Sequence, residues 1–291
     1  MYSDNFKKIT NKEISDQINK NGYFFFEKAL DQNFIKKILN EVDKEYEINA
    51  NNNQPVNFFG QKFNTGILAS SFACYQLITD SMVMNISSLL LGNKFRLKCQ
   101  RYYESGHNYR LHWHTDNKAV GGGTTNSKGI VFIYYLCDTL EGQLEVIKES
   151  HKFTGSENRN DYTDEEIKKN YSDKLISLKG PAGSLIITHT HLIHSTNKIS
   201  NPNFTRKSLF FQIDDDINNA EQKIVNPAFV KDTSNNILNF LGFGLSDNYR
   251  CVPQSNIKTT SNIFLFKLLI EILKEFFKRI PFLKKIKKKF I

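Results

Sequence analysis

Ile130-Val131-Phe132-Ile133-Tyr134-Tyr135-Leu136 is an unbroken apolar and aromatic run containing three β-branched residues. Such a run is too short for a helix, and its residue types suit a pleated backbone. Four further runs of β-branched or aromatic character follow at 143–147, 175–178, 184–188 and 208–213. Turn residues separate them. Short strands at this spacing predict a sandwich or barrel, of which the jelly roll is the usual eight-strand version.

Upstream the pattern is helical. Residues 11–21 read as a short helix stopped by Gly22, followed by Tyr23-Phe24-Phe25-Phe26 as a buried strand. Asp31 is placed to cap a helix over 32–47, with Phe34, Ile35, Ile38, Leu39 and Val42 on one face. A polar loop is expected over 49–56, and a helix over 75–91 ending near Gly92. Helices first and strands later make the class α+β within one domain. The polar stretch 154–173 reads as a surface loop or lid, and Gly121-Gly122-Gly123-Thr124-Thr125 as a flexible loop.

At 291 residues, 40% hydrophobic and 24% charged, the composition is that of a globular protein. The four cysteines, Cys74, Cys99, Cys137 and Cys251, form no CxxC pair, which argues against a cysteine-based zinc site. The first residues have no apolar segment resembling a secretion signal, so the expected setting is cytoplasmic and reducing. The net charge of +9 is unevenly placed: residues 261–291 hold nine Lys or Arg and two Glu, leaving only +2 for residues 1–260. Domain organisation is accordingly read as a body over 1–260 and a basic tail over 261–291.

All seven histidines lie between His107 and His194. The first cluster is His112-Trp113-His114-Thr115-Asp116. Side chains on a strand alternate faces, so His114 and Asp116 share one and can reach a single metal ion. His112 lies on that face too, leaving an HxH pair as an alternative. The second cluster, His189-Thr190-His191-Leu192-Ile193-His194, offers one more imidazole just after the strand at 184–188. Two His and one carboxylate occupy one face of an octahedral metal and leave three positions open, as non-haem Fe(II) oxygenases require. Zinc hydrolases draw on the same residue types. Arg206 follows His194 by twelve residues. If buried, its rigid fork matches a carboxylate in a two-point pair; beside Lys207 it also reads as a solvated surface arginine.

Taken in order, these segments resemble the phytanoyl-CoA dioxygenase family of Fe(II)/2-oxoglutarate oxygenases. The likeness begins over 14–42 around Asn21-Gly22-Tyr23 and continues through His114-Thr115-Asp116. It is strong in Gly142-Gln143-Leu144-Glu145-Val146-Ile147-Lys148-Glu149-Ser150-His151-Lys152. It ends with Gly183-Ser184-Leu185-Ile186, His194-Ser195-Thr196-Asn197 and Arg206, covering about residues 10–213. The family usually carries Pro-Gly where this chain has Lys148-Glu149, and often Gly-Asp in place of Gly183-Ser184.

The resemblance implies a double-stranded β-helix (a cupin-like jelly roll) flanked by N-terminal helices. It implies an iron triad of His114, Asp116 and His194, with 2-oxoglutarate held by Arg206, helped by Thr196 and, more weakly, by Gln100. His151 would brace a turn. O₂ would be the co-substrate and hydroxylation the reaction, and the carboxylate at Asp116 disfavours halogenation. Trp113, Tyr102, Tyr103, Asn117 and Lys118 are candidates for the substrate side or for packing. The substrate is expected to be a small molecule, a lipid or a glycan. The competing readings are a metal-dependent cupin-type hydrolase or lyase and a non-catalytic membrane-associated barrel.

The tail has its own pattern. Over 263–280, Phe264, Leu268, Ile272 and Phe276 recur at helical spacing among Lys267, Lys274, Lys278 and Arg279, and Pro281 ends the helix. Residues 282–291 mix five lysines with five apolar residues. This is expected to be a C-terminal amphipathic helix that lies on an anionic membrane at its inner face, or that covers the barrel or a dimer contact. Nucleic acid is not expected as a partner, because the body is near neutral.

Overall fold

In the computed structural model the described residues are 1–51, 56–58, 61–117, 126–154, 157, 159, 161–217, 220, 223–231, 234–243 and 262–279. The strands are β1 (Tyr23–Phe26), β2 (Val56–Phe58), β3 (Gln61–Asn64), β4 (Arg96–Ser105), β5 (Gly129–Tyr135), β6 (Leu144–Ile147), β7 (Leu175–Leu178), β8 (Leu185–His189), β9 (His194–Thr196) and β10 (Arg206–Asp214). The helices are α1 (Asn11–Asn21), α2 (Gln32–Asn51), α3 (Ile67–Ser70), α4 (Phe72–Ile78), α5 (Ser81–Leu91), α6 (Asp164–Asn170), α7 (Asn235–Leu241) and α8 (Asn262–Arg279).

The strands form a large sheet in the order β1-β8-β5-β10-β4-β3-β2 and a small one in the order β7-β6-β9, with antiparallel pairing throughout. Residues 130–135 of the apolar run form most of β5, an interior strand of the large sheet between β8 and β10. Its two-residue period divides the core. Ile130, Phe132 and Tyr134 join the main cluster, which also holds Ile14, Ile18, Ile35, Ile38 and Val42 from α1 and α2. Ile133 and Tyr135, on the other face, pack against Leu144, Val146 and Leu178 of the small sheet. The two sheets thus face each other as a jelly roll, with helices covering the outer face of the larger one.

Local chemistry accounts for the helix ends. Thr10 caps α1 in a reciprocal arrangement with Glu13, and Gly22 closes it with φ of 86°. Asp31 accepts from Asn33 N at 2.8 Å at the start of α2. The helix expected over 75–91 is two helices, because Asp80 accepts from Met82 N and starts α5 afresh after α4 ends. α2 runs on to Asn51, three residues into the expected polar loop. The polar stretch 154–173 contains α6, capped by Thr163 and Glu166, with Tyr162 and Ile167 buried beside Trp113. The expectations for 118, 121–125, Cys251 and 282–291 lie outside the described residues.

At the C-terminal end, Phe240 and Leu241 of α7 are buried in the main core. Leu268 of α8 packs against the same cluster. Phe266, Leu269, Ile272, Leu273 and Phe276 of α8 are exposed. Among the described residues no helix is long and apolar enough to cross a membrane.

Candidate metal centre

Residues 112–116 run beside β9 and the turn that precedes it, and are held to both by the backbone. His114 N donates to His194 O and His194 N to His114 O, both at 2.9 Å, and Asp116 N donates to Thr190 O at 2.9 Å. Alternation along the segment buries Trp113, Thr115 and Asn117 in the body of the protein and turns His114 and Asp116 toward the inter-sheet space. His194, at the first position of β9, meets them there. The three side chains bring one ligand atom each to within 4.8 Å of one another. Asp116 lies 3.7 Å from His114 Nε2 and 3.6 Å from His194 Nε2.

Each imidazole is oriented by its other nitrogen. His114 Nδ1 donates to His112 O at 2.7 Å, and His194 Nδ1 to Leu192 O at 2.9 Å. These bonds place the proton on Nδ1 and present the Nε2 lone pair to the centre, the arrangement a metal needs. Burial pushes the Asp116 carboxyl up, but His194, His114 and Arg101 overcome this and hold it down at about 2. Burial also lowers His194, against the pull of Asp116. The centre therefore offers an ionised carboxylate and a neutral imidazole at ordinary pH. Two imidazoles and a carboxylate on one side suit a divalent transition metal with open coordination positions.

The other histidines stand apart. His112 is exposed and contributes its carbonyl, so the alternative HxH pair does not form. His189 Nδ1 accepts from His191 N at 3.1 Å, and His191 Nε2 contacts Ser127 O at 3.0 Å and the Asn117 amide. His151 packs under Gly22 and contacts Asn19 O at 3.2 Å, bracing the end of α1. Among the described residues only His114, Asp116 and His194 form a metal-ligating cluster.

The cluster opens into a cavity of about 400 Å³ between the sheets. Arg206 and Thr196 line it. Arg206 is 5% exposed, so the solvated alternative is excluded. Its guanidinium contacts Gly142 O, reaches Ser105 Oγ at 3.4 Å and sits over the Tyr109 ring at 5.9 Å. Its Nε is buried with no protein partner, an orphaned donor that a carboxylate oxygen would satisfy. Thr196 Oγ1 accepts from Leu111 N at 2.8 Å. Gln100 faces the other way: its amide donates to Thr65 O at 2.8 Å, while its neighbours Cys99 and Arg101 line the cavity. Tyr103 lines the cavity, whereas Tyr102 is wholly buried in the main core.

Sequence reasoning missed Gln61, Tyr109, Arg101 and Gln212, all of which line the cavity. Arg101 was the most findable, as a charged residue inside a strand. A register shift between Gln212 and Ile213, opposite Cys99 and Leu97, leaves Lys98 as an extra residue that also lines the cavity, and the alternation is regular only from Cys99 onward through Arg101 and Tyr103.

Comparison with known proteins agrees with this geometry. The family profile described as phytanoyl-CoA dioxygenase (PhyH) matches residues 18–208. No curated protein matches the sequence. Among solved structures, EctD from S. alaskensis with 2-oxoglutarate and 5-hydroxyectoine superimposes with a TM-score of 0.56 at 17% identity, over 73% of this chain and 76% of that one. HygX from Streptomyces hygroscopicus, with nickel and 2-oxoglutarate bound, gives a TM-score of 0.55 at 12% identity, over 73% and 90%. The epimerase SnoN, in complex with Fe3+, alpha ketoglutarate and nogalamycin RO, gives 0.54 at 15% identity, over 70% and 82%. At these identities the likeness is one of fold.

Proposed function

The chain belongs to the phytanoyl-CoA dioxygenase family, and from that premise we propose that it is a non-haem Fe(II) oxygenase that uses 2-oxoglutarate to hydroxylate a small molecule. The observation that carries the reading is the convergence of His114, Asp116 and His194 with a buried Arg206 in one cavity. His114, Asp116 and His194 would hold the iron. With 2-oxoglutarate and O₂ the iron would supply oxidation of a substrate C–H bond, coupled to conversion of the 2-oxo acid to succinate and CO₂.

The protein's own residues bind, orient and shield. The His112 and Leu192 carbonyls keep the two imidazoles in the ligating tautomer. Arg206, whose buried Nε has no protein partner, would hold the far carboxylate of 2-oxoglutarate, with the Tyr109 ring against one side of its guanidinium. Thr196, whose Oγ1 is held by Leu111 N, lines the same cavity. Ile133, Leu144 and Phe210 give the cavity apolar walls that limit water around the reacting centre.

The test is direct. Protein given Fe(II) and 2-oxoglutarate without O₂ should show a new metal-to-ligand charge-transfer band, and with O₂ and substrate should form succinate. Arg206→Ala should weaken 2-oxoglutarate binding roughly tenfold to a hundredfold, the range for losing a hydrogen-bonded charge. A wild-type protein with no band, activated instead by zinc, would be a hydrolase.

We further infer that the C-terminal segment lies on an anionic membrane surface. The five exposed apolar side chains of α8 and the nine basic residues of 261–291 support this.

A further inference from the structure

Resting on the oxygenase reading above, we propose that Asp164 of α6 is a positioning residue that holds, through Arg110 and Trp113, the segment carrying two of the iron ligands and part of the 2-oxoglutarate wall. Tyr109, Leu111, His114 and Asp116 of that segment line the cavity. Arg110 and Trp113, interspersed among them, turn the other way and meet α6. Arg110 pairs with Asp164, and Trp113 Nε1 donates to the same oxygen, Asp164 Oδ1, at 3.0 Å. One carboxylate thus grips the outward side of the segment at two points three residues apart.

The backbone reinforces the grip. On one side His114 exchanges hydrogen bonds with His194; on the other it forms an antiparallel bridge with Asp161. Tyr162 N donates to Trp113 O at 3.4 Å. The metal-bearing segment is therefore flanked on both edges, by β9 and by the residues that lead into α6. Tyr162 and Ile167 then close over Trp113 together with Ile147 of β6 and Ile193 from the turn before β9. Further back, Leu111 N is held by Thr196 Oγ1 at 2.8 Å, so a movement at Arg110 is passed to the wall that faces Arg206.

The Trp113 indole makes this contact more than a surface ion pair. Exposed Arg–Asp pairs contribute little. Trp113, however, is 4% exposed, and Asp164 is the acceptor of its N–H. A buried indole N–H left without an acceptor is unfavourable, and the relief open to it is a shift of the ring toward water. His114 is the next residue, so its imidazole would move with that shift. The reciprocal cap of Thr163 and Glu166 fixes the first turn of α6, and with it the place of Asp164.

The experiment is an anaerobic Fe(II) titration of the full chain by calorimetry, followed by 2-oxoglutarate with the charge-transfer band as readout. Asp164→Ala should bind Fe(II) about tenfold more weakly, the lower end of the range for groups that orient metal ligands, and should shift the band maximum. Asp164→Asn keeps an acceptor for the indole and should recover most of the loss. Trp113→Phe keeps a ring in the apolar cluster and loses the N–H. It should weaken Fe(II) binding in the same direction, and Asp164→Ala should cost less on top of it than alone. Glu165→Gln, at the neighbouring exposed carboxylate of α6, removes the same charge and should change neither readout. Trp113 is the only tryptophan of the chain, so a red shift of its emission in Asp164→Ala would report the loosened segment directly. Wild-type Fe(II) affinity and band in Asp164→Ala overturn the inference even if that variant melts earlier, because α6 would then merely cover the surface. Equal losses in Asp164→Ala and Glu165→Gln overturn it as well, as an effect of net charge. If Asp164→Ala does not fold, Trp113→Phe decides by the same two readouts. A wild type that binds Fe(II) but gives no band with 2-oxoglutarate sinks the oxygenase reading alone, and the Fe(II) affinities still decide the role of Asp164. A wild type that binds no Fe(II) sinks both.

Discussion

At the scale of single residues, two histidines separated by one residue have opposite tasks. His112 and His114 share a strand face in an ideal alternation, yet His112 is exposed and lends only its carbonyl to His114 Nδ1. We therefore expect His112→Ala to keep stoichiometric Fe(II) binding and His114→Ala to lose it, as measured by anaerobic titration. His189 bears on stability. Burial, with smaller contributions from His191, His151 and Lys128, pushes its pKa down to about 3 from the ordinary 6.5. The folded pKa lies below the unfolded one, so between these values the unfolded chain binds more protons. Stability is then complete above about pH 6.5 and falls as pH drops toward 3, by up to about 1.4 kcal/mol per pH unit. Urea unfolding from about pH 7.5 to about 5 should show this slope, reduced in His189→Asn; parallel slopes would remove His189 as its source. The third ligand could not be read from residue pattern alone. β8 ends at His189 and the chain turns through 190–193, so a two-residue count cannot choose among His189, His191 and His194. Resemblance to the family chose His194, and backbone pairing with His114 is the physical reason it fits.

At the scale of elements, Gly22 couples the N-terminal helix to the centre. Its φ is 86°, and an added Cβ would lie 2.4 Å from Leu192 Cδ1 and 2.5 Å from His151 Nδ1. Gly22 O also accepts from His189 N at 2.9 Å, and Leu192 O orients His194. Gly22→Ala should cost about 1–3 kcal/mol, through left-handed strain and overpacking together. Because Leu192 must move, Fe(II) affinity should fall as well. Calorimetric melting with an iron titration separates the two effects, and a variant as stable as wild type would show that this junction yields freely. The elements themselves were legible in proportion to how local their causes are. α1 with its glycine stop, β1 and β7 follow from neighbouring residues. The break between α4 and α5 is signalled by Asp80, and α6 by the Thr163 and Glu166 box, both local signals in the sequence. β2 and β3 carry no strong pattern and exist because β3 pairs with β4.

At the scale of the whole molecule, which strands meet was not legible. β1 pairs with β8 across some 160 residues of sequence, and such pairings are chosen by the completed core. The uneven charge was legible at once, and it bears on the last prediction. Removing 261–291 lowers the formal charge from +9 to +2. Leu268 alone among the described α8 side chains is identified as packing on the main core, so the loss to the body should be small, about the 1–2 kcal/mol of one partly buried leucine. The cavity is lined from β3 to β10 and the segments between them, and none of its lining lies beyond Gln212. The truncated protein should therefore keep the 2-oxoglutarate band. On vesicles the outcome should reverse. Each Lys or Arg near an anionic surface is worth about 1 kcal/mol, and exposed phenylalanine, leucine and isoleucine side chains add apolar burial. The full chain should float with vesicles containing phosphatidylserine, lose them in high salt and ignore neutral ones, while the truncated chain stays in solution. If instead truncation abolishes the band or unfolds the body while vesicle binding is absent from both proteins, α8 is a cover for the barrel.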